Sequence, residues 1–256
     1  MRHHDPIHPP QHFHLTWFIS FVFIALMGFI SPVTADMHVG ETLYYEEIRG
    51  DVVTANIWAL SPTVSVRSGQ SVIHIQGNNA IEYAQFSVTN NNTYYWKEYR
   101  LDQDTAFEMT RKDNQIKATG IIDGELFSRT FPIDPEQYWV QAVGISLVPF
   151  ILSEAQQLAF QLFSIKDKQF IEMQVIKKGS AVYTAPDGTK MPAEEVWFTP
   201  TGWRSKFWKA VILFSTETGY LLTYDGLSAG MGSAPLRISL RRTSVSFSPG
   251  PPPPAF

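Results

Sequence analysis

Hydrolytic chemistry in a chain of this length usually needs one of three arrangements: two carboxylates held across a sugar, a histidine beside a nucleophile, or several histidines around zinc. Three carboxylate pairs stand close in the sequence: Asp102 with Asp104, Asp123 with Glu125, and Glu194 with Glu195. Adjacent strand residues point to opposite faces, so Glu194 and Glu195 are not themselves a catalytic pair. Sequence spacing does not hold the others across a sugar, and exposed surface carboxylates are the expected state. A carboxylate-based glycan hydrolase is kept as a remote alternative. Five of the seven histidines, His3, His4, His8, His12 and His14, precede an apolar run, and His38 follows it closely. His74 alone belongs to the body of the chain, in the alternating phrase "SVIHIQG", where a strand histidine with no proton-transfer or metal role is expected. With no cysteine there is neither a thiol nucleophile nor a thiolate metal site, and no disulfide can form. The expectation is a non-enzymatic protein with no catalytic residues, no metal and no cofactor.

The aromatic residues give a different candidate. "VWFTPTGWRSKFWKAVILFSTETGYLLTYDG", Val196 to Gly226, holds three Trp, three Phe and two Tyr. Strand alternation puts Trp208, Ala210, Ile212 and Phe214 on one face, with Val211 and Leu213 opposite. Tyr220, Leu222 and Tyr224 share a face in the next segment. Apolar groups on both faces mean that neither meets bulk water: one packs in a core, and the other is covered by a helix, a second sheet or an apolar ligand. The candidate ligand-binding residues are therefore Trp139, Trp208, Phe214, Tyr220 and Tyr224, with an ordinary two-sided core as the competing reading.

Short β-rich segments separated by turns must position these rings. Turn signals at Gly50-Asp51, the Asn-rich "TNNNT", Asp113-Asn114, Asp123-Gly124, Asp167, Asp187-Gly188 and Glu217-Thr218-Gly219 recur about every ten residues, as in a meander, sandwich or barrel. "PLRISLRR" is expected to close the sheet. One segment differs. "IDPEQYWVQAVGISLVPFILS" has Asp134 as an N-cap, Pro135 at the first helical position, and Tyr138, Trp139, Val143 and Leu147 near helical spacing, with Pro149 as a stop. It predicts a helix over about 135–148 that plugs or lids the sheet. The predicted fold class is mostly β: a curved antiparallel sheet, half-barrel or open barrel, covered by one main helix.

The order of these phrases, through "AFQLFSIKDKQFIEMQVIKKG", "GTKMPAEEVWFTPTGWRSKFWKAVILFSTETGYLLTYDG" and "GSAPLRISL", resembles an exported bacterial family, domain of unknown function 3108, from about Glu41 to Leu240. The resemblance implies a strongly curved half-barrel, similar in kind to the periplasmic lipoprotein carrier and receptor, in which a helix covers an apolar concavity for acyl chains. It carries over no functional residues.

The first 35 residues read as an export signal. An apolar run from Leu15 to Ile30 ends in Val33-Thr34-Ala35, which places cleavage after Ala35; an uncleaved N-terminal anchor is the alternative. The predicted organisation is a signal at 1–35, a single β-domain at 36–244, and a Pro-rich tail at 245–256. A net charge of −4 with no basic run argues against nucleic-acid binding. Arg49-Gly50-Asp51 is read as a turn, "NNT" at Asn91–Thr93 as a glycosylation sequon on a hairpin tip, and "GMGSAP" at Gly230–Pro235 as a turn rather than a phosphate loop. The expected protein is periplasmic or secreted, binding an apolar ligand such as a lipid or acyl chain. A structural or assembly factor with an envelope protein as partner is the alternative.

Overall fold

The computed structural model describes residues 41–61, 70–76, 80–87, 89–227 and 234–245. All belong to one compact unit, Thr34–Phe256. The leader, most of the "GMGSAP" phrase and the Pro-rich tail lie outside the described residues.

Among the described residues, alternating apolar residues with turn chemistry between them produce fourteen strands. The first eight are β1 (Glu41–Arg49), β2 (Val52–Ser61), β3 (Gln70–Gln76), β4 (Ala80–Ser87), β5 (Thr93–Arg100), β6 (Thr105–Lys112), β7 (Gln115–Ile122) and β8 (Glu125–Pro132). After a crossover come β9 (Gln157–Ser164), β10 (Gln169–Thr184), β11 (Lys190–Pro200), β12 (Ala210–Ser215), β13 (Leu221–Leu227) and β14 (Pro235–Val245). They form one antiparallel sheet in the order β8-β7-β6-β5-β4-β3-β2-β1-β14-β13-β12-β11-β10-β9. The chain thus starts mid-sheet, meanders to one edge, crosses to the other and meanders back, until β14 pairs with β1 from Arg49↔Leu236 to Glu41↔Val245. "PLRISLRR" thus joins the two halves of the sheet at its middle rather than closing it. Where turns demand positive φ, the sequence supplies residues that tolerate it: Asp123 (φ 54°) and Gly124 (φ 77°) join β7 to β8 in the geometry that matches strand twist.

The two edge strands, β8 and β9, have no ladder between them, so the sheet is curled but not closed. Side chains bridge the gap. Phe163 of β9 has its ring 5.7 Å from Phe131 and 6.2 Å from Phe127 of β8, and Lys168 Nζ lies 3.2 Å from Glu125 Oε2. The mostly β, curved antiparallel fold is as the alternation predicts.

The crossover departs from expectation. No continuous helix forms over 135–148. The Gln137 amide donates to Asp134 O (3.0 Å) and the Glu136 amide to Asp134 Oδ1 (2.9 Å), so Asp134 caps a turn rather than a helix. Tyr138–Val140 is extended along the β9 edge: Val140 N donates to Gln161 O (3.0 Å) and Gln161 N to Tyr138 O (2.8 Å), with Trp139 bridged in parallel to Gln161. Only single turns follow, α1 (Val143–Ser146) and α2 (Val148–Ile151), and Pro149 opens the second instead of ending the first. The reason is competition for backbone partners. The β9 edge offers unpaired groups, and extended residues 139 and 140 bury opposite sides into two separate apolar clusters, which one helix face cannot do. Trp139 enters a cluster with Trp96, Phe107, Met109, Ile116 and Phe163. Val140 enters the other, with Leu43, Phe86, Val175, Ile212 and Phe214. This segment, 133–156, is a strap inside the curled sheet.

Candidate functional site

Three consecutive residues at the β4–β5 tip hold the strap. Asn91 (φ 59°) is buried, and its Oδ1 accepts the amide of Phe150 at 3.0 Å. Asn92 Oδ1 accepts the amide of Trp139 (3.1 Å) and Nη1 of Arg111 (2.8 Å). Thr93 Oγ1 accepts the amide of Gln141 (3.0 Å), while Thr93 N donates to Trp139 O (2.7 Å). The sequon reading of "NNT" is therefore corrected: glycan attachment needs the Asn91 amide at the surface, whereas in the fold it is enclosed against the strap. On the far side, Gln141 Oε1 accepts the Phe163 amide at 3.0 Å, and Lys177 Nζ donates to Ile151 O at 2.9 Å. Most of these links are side chain to backbone rather than a ladder.

The five aromatic candidates do not all meet. Trp208, Phe214, Tyr220 and Tyr224 join one apolar cluster beneath the strap, while Trp139 belongs to the cluster on its other side. Phe214 and Trp139 have no exposed surface, and the Trp139 indole N–H donates to Gln141 Oε1 at 3.1 Å. The inward and outward alternation of Ala210 to Phe214 is as the strand pattern predicts. Tyr224 donates to Leu227 O at 2.9 Å; burial, with a smaller contribution from Asp225, pushes its phenol pKa up. Trp208 is partly buried and packs edge-on to Phe198 at 5.4 Å, its carbonyl accepting Thr199 Oγ1 at 2.7 Å. Its indole Nε1 is buried and meets no hydrogen-bond acceptor among the described residues. The strap lies directly over this wall: a Cβ on Gly219, in the β12–β13 turn, would stand 2.9 Å from Val148 Cγ1.

A second arrangement was missed from sequence. Glu82 and Glu98 face each other directly across β4–β5, on the inward face. Trp96 Nε1 donates to Glu82 Oε1 at 2.8 Å, and Arg100 forms an ion pair with Glu98, which is only 4% exposed. Burial, reinforced by the Glu98 charge and opposed by the Trp96 and Arg100 contacts, pushes Glu82 up to about 8. Burial also raises Glu98, against the opposing pull of Arg100. Glu82 therefore keeps its proton near neutrality, the state that burial beside a second carboxyl favours. The signal was present in the hairpin "EYAQFSVTNNNTYYWKEYR": its alternation puts Glu82 on the face of Ala84 and Phe86, and Glu98 on the face of Trp96.

None of the carboxylate pairs near in sequence joins this arrangement. Asp102, Asp104, Asp123 and Glu125 are exposed. Glu194 accepts the Gly179 amide and Glu195 accepts the Trp197 indole. The backbone of His74 pairs with Ala59 and Tyr83 in mid-sheet, but its side chain lies outside the described residues.

No protein-family model matches the chain, and no curated protein matches it. Among solved structures it is similar to the beta-barrel-like protein of domain of unknown function DUF1849 from Brucella abortus, with a TM-score of 0.50 at 7% identity over 81% of this chain and 98% of that one. The hypothetical lipoprotein YmcC from Escherichia coli overlaps with a TM-score of 0.36 at 12% identity, over 79% of this chain and 87% of that one. The first likeness is one of fold: a barrel-like curled sheet. The resemblance to domain of unknown function 3108 is not carried by a family match.

Proposed function

We propose that this protein is an exported, non-enzymatic envelope component that holds an apolar ligand such as an acyl chain between the strap and the β11–β13 wall. The observation that supports this reading is the Trp208 indole: its Nε1 is enclosed beside Phe198 and lacks an acceptor among the described residues. A buried donor left unpaired costs about 1–3 kcal/mol, and an ester or carboxyl oxygen at the head of an acyl chain would supply the missing acceptor. Phe214, Tyr220 and Tyr224 stand in the same apolar cluster and would contact the chain. Beyond its backbone bonds at Tyr138–Val140, the strap is tied to the sheet by side chains of Asn91, Thr93 and Lys177, whose release would free its later part without breaking a strand ladder and give the ligand a way in. Export is proposed from the 1–35 leader.

Trp208→Phe separates the donor from the ring. Affinity for a fluorescent fatty acid should fall roughly three- to tenfold, the value of one hydrogen bond, while unfolding free energy stays level or rises. Equal affinity in the two proteins would remove Trp208 from the site. No binding to the wild type would overturn the reading.

A further inference from the structure

The antiparallel order of the strands puts the turns after β1, β5, β7, β9 and β11 at one end of the sheet, opposite the end held by the β4–β5 tip. Nine large apolar side chains are well exposed among the described residues, and seven of them are at this end, Leu101, Leu126, Trp203 and Phe207 included. Leu101 and Leu126 stand among Asp102, Asp104, Asp123 and Glu125, which keep their side of the rim in water. The β11–β12 loop has the opposite charge. From Val196 to Thr216 there is no carboxylate, while Arg204, Lys206 and Lys209 are all present, in a chain whose net charge is −4.

This loop holds its rings outward by construction. A single 3-10 turn, Gly202–Lys206, sets Trp203 and Phe207 edge to face at 5.7 Å, 66% and 64% exposed, with the Arg204 guanidinium 5.9 Å from the Trp203 ring. The turn is pinned from below. Thr201 Oγ1 bonds Glu172 Oε2 (2.9 Å), Thr199 Oγ1 donates to Trp208 O (2.7 Å), and Ser205 Oγ donates to Gly202 O (2.7 Å). Two carboxylates stand beside the loop, Glu172 bonded to Thr201 and Glu195 to the Trp197 indole, and both are contributed by residues outside it. A Trp and a Phe displayed on a pinned turn whose own charged residues are all cations match the lipid–water interface, where amphipathic rings settle at headgroup level and cations meet phosphates.

We propose that the β11–β12 loop, residues 201–209, is a membrane-docking element that seats Trp203 and Phe207 in an anionic lipid surface while Arg204, Lys206 and Lys209 pair with its phosphates. A protein partner fits less well, because a loop that carries two exposed rings, three cations and no carboxylate of its own complements a dense array of phosphates. The docking does not rest on the ligand reading; it would occur with or without an acyl chain inside.

The full chain has no cysteine, so Lys206→Cys, at an exposed position that leaves the pinning bonds in place, gives one labelling site, and an environment-sensitive nitrobenzoxadiazole probe there reports on this loop whatever the leader does. Vesicles of equal parts phosphatidylglycerol and phosphatidylcholine should shift the probe to the blue and brighten it, reversibly with salt. Pure phosphatidylcholine should do so far less. Replacing both Trp203 and Phe207 with Ser should weaken the loop's partitioning by about 100-fold, roughly tenfold per ring, and Arg204→Gln by about fivefold. Lys209→Glu, a change at an exposed position, provides a second variant and should also abolish the preference for anionic vesicles. Thermal midpoints of all variants should match the wild type, since the replaced groups face solvent. An unresponsive probe on anionic vesicles, equal salt-independent response on neutral ones, undiminished response in the double variant, or capture of a protein partner without any vesicle response would each overturn the proposal.

Discussion

Glu82 and Glu98 are two acids on the inward face of a sheet, opposite each other and each given a fixed donor. Their consequence is a stability that depends on pH with a definite sign. Glu82 is raised from 4.5 to about 8, so at neutrality the folded protein holds a proton that the unfolded chain has released. That contribution is complete below pH 4.5 and is lost as pH climbs through about 8. Urea midpoints measured from pH 5 to 9 should therefore fall with rising pH, and Glu82→Gln, which is permanently neutral, should flatten the fall and be the more stable protein at pH 8. A wild-type midpoint that rises over this range would contradict the assignment. The alternation of the hairpin already put both acids on an apolar face; their partnership was not legible, because the register across the Asn-rich turn decides which residues are opposite.

The strap shows at the scale of an element why spacing alone misled. Tyr138, Trp139, Val143 and Leu147 fit a helix nearly as well as an extended buried segment, and short apolar runs of this kind are decided by what they meet. Here β9 offers an open edge and Asn91, Asn92 and Thr93 offer acceptors, so the chain stays extended and then winds only two single turns. Asn91→Ala strands the buried Phe150 amide and places Ala at a φ of 59°, so it should cost about 2–4 kcal/mol by chemical unfolding. Hydrogen exchange at Phe150 and Gln141 should accelerate before exchange in β6 or β7. Uniform acceleration across the sheet would mean that the strap is not a separable unit. β7 carries a second sensitive point. Gly120 (φ 145°) faces Phe107 so closely that a Cβ would stand 2.3 Å from Ala106 O and 2.5 Å from Phe107 Cα, so Gly120→Ala should lose at least about 2 kcal/mol.

Over the whole molecule, most of the architecture was legible. Turn residues at Gly50, Asp123-Gly124, Asp187-Gly188 and Gly219 mark hairpins, and the alternation through Ala210–Phe214 marks which side chains go inward. The return of the last strand to the first was foreshadowed only by its position in the sequence, since β1–β14 pairing joins residues almost two hundred apart. The aromatic candidates were legible as a buried set but not as two sets: only the strap's extended course sends Trp139 away from Trp208, Phe214, Tyr220 and Tyr224. The two ends of the sheet then differ, one bound to the strap by the β4–β5 tip and the other carrying Trp203 and Phe207. The proposed acyl-type ligand would lie between the strap and the β11–β13 wall, beside the unpaired Trp208 indole. Native mass spectrometry of the protein, purified from its own source without detergent, tests this most directly. The account predicts a bound mass matching a lipid or fatty acid in near-equimolar amount, reduced in Trp208→Phe. A protein that flies at its bare polypeptide mass, and stays so after incubation with excess fatty acid, would contradict it.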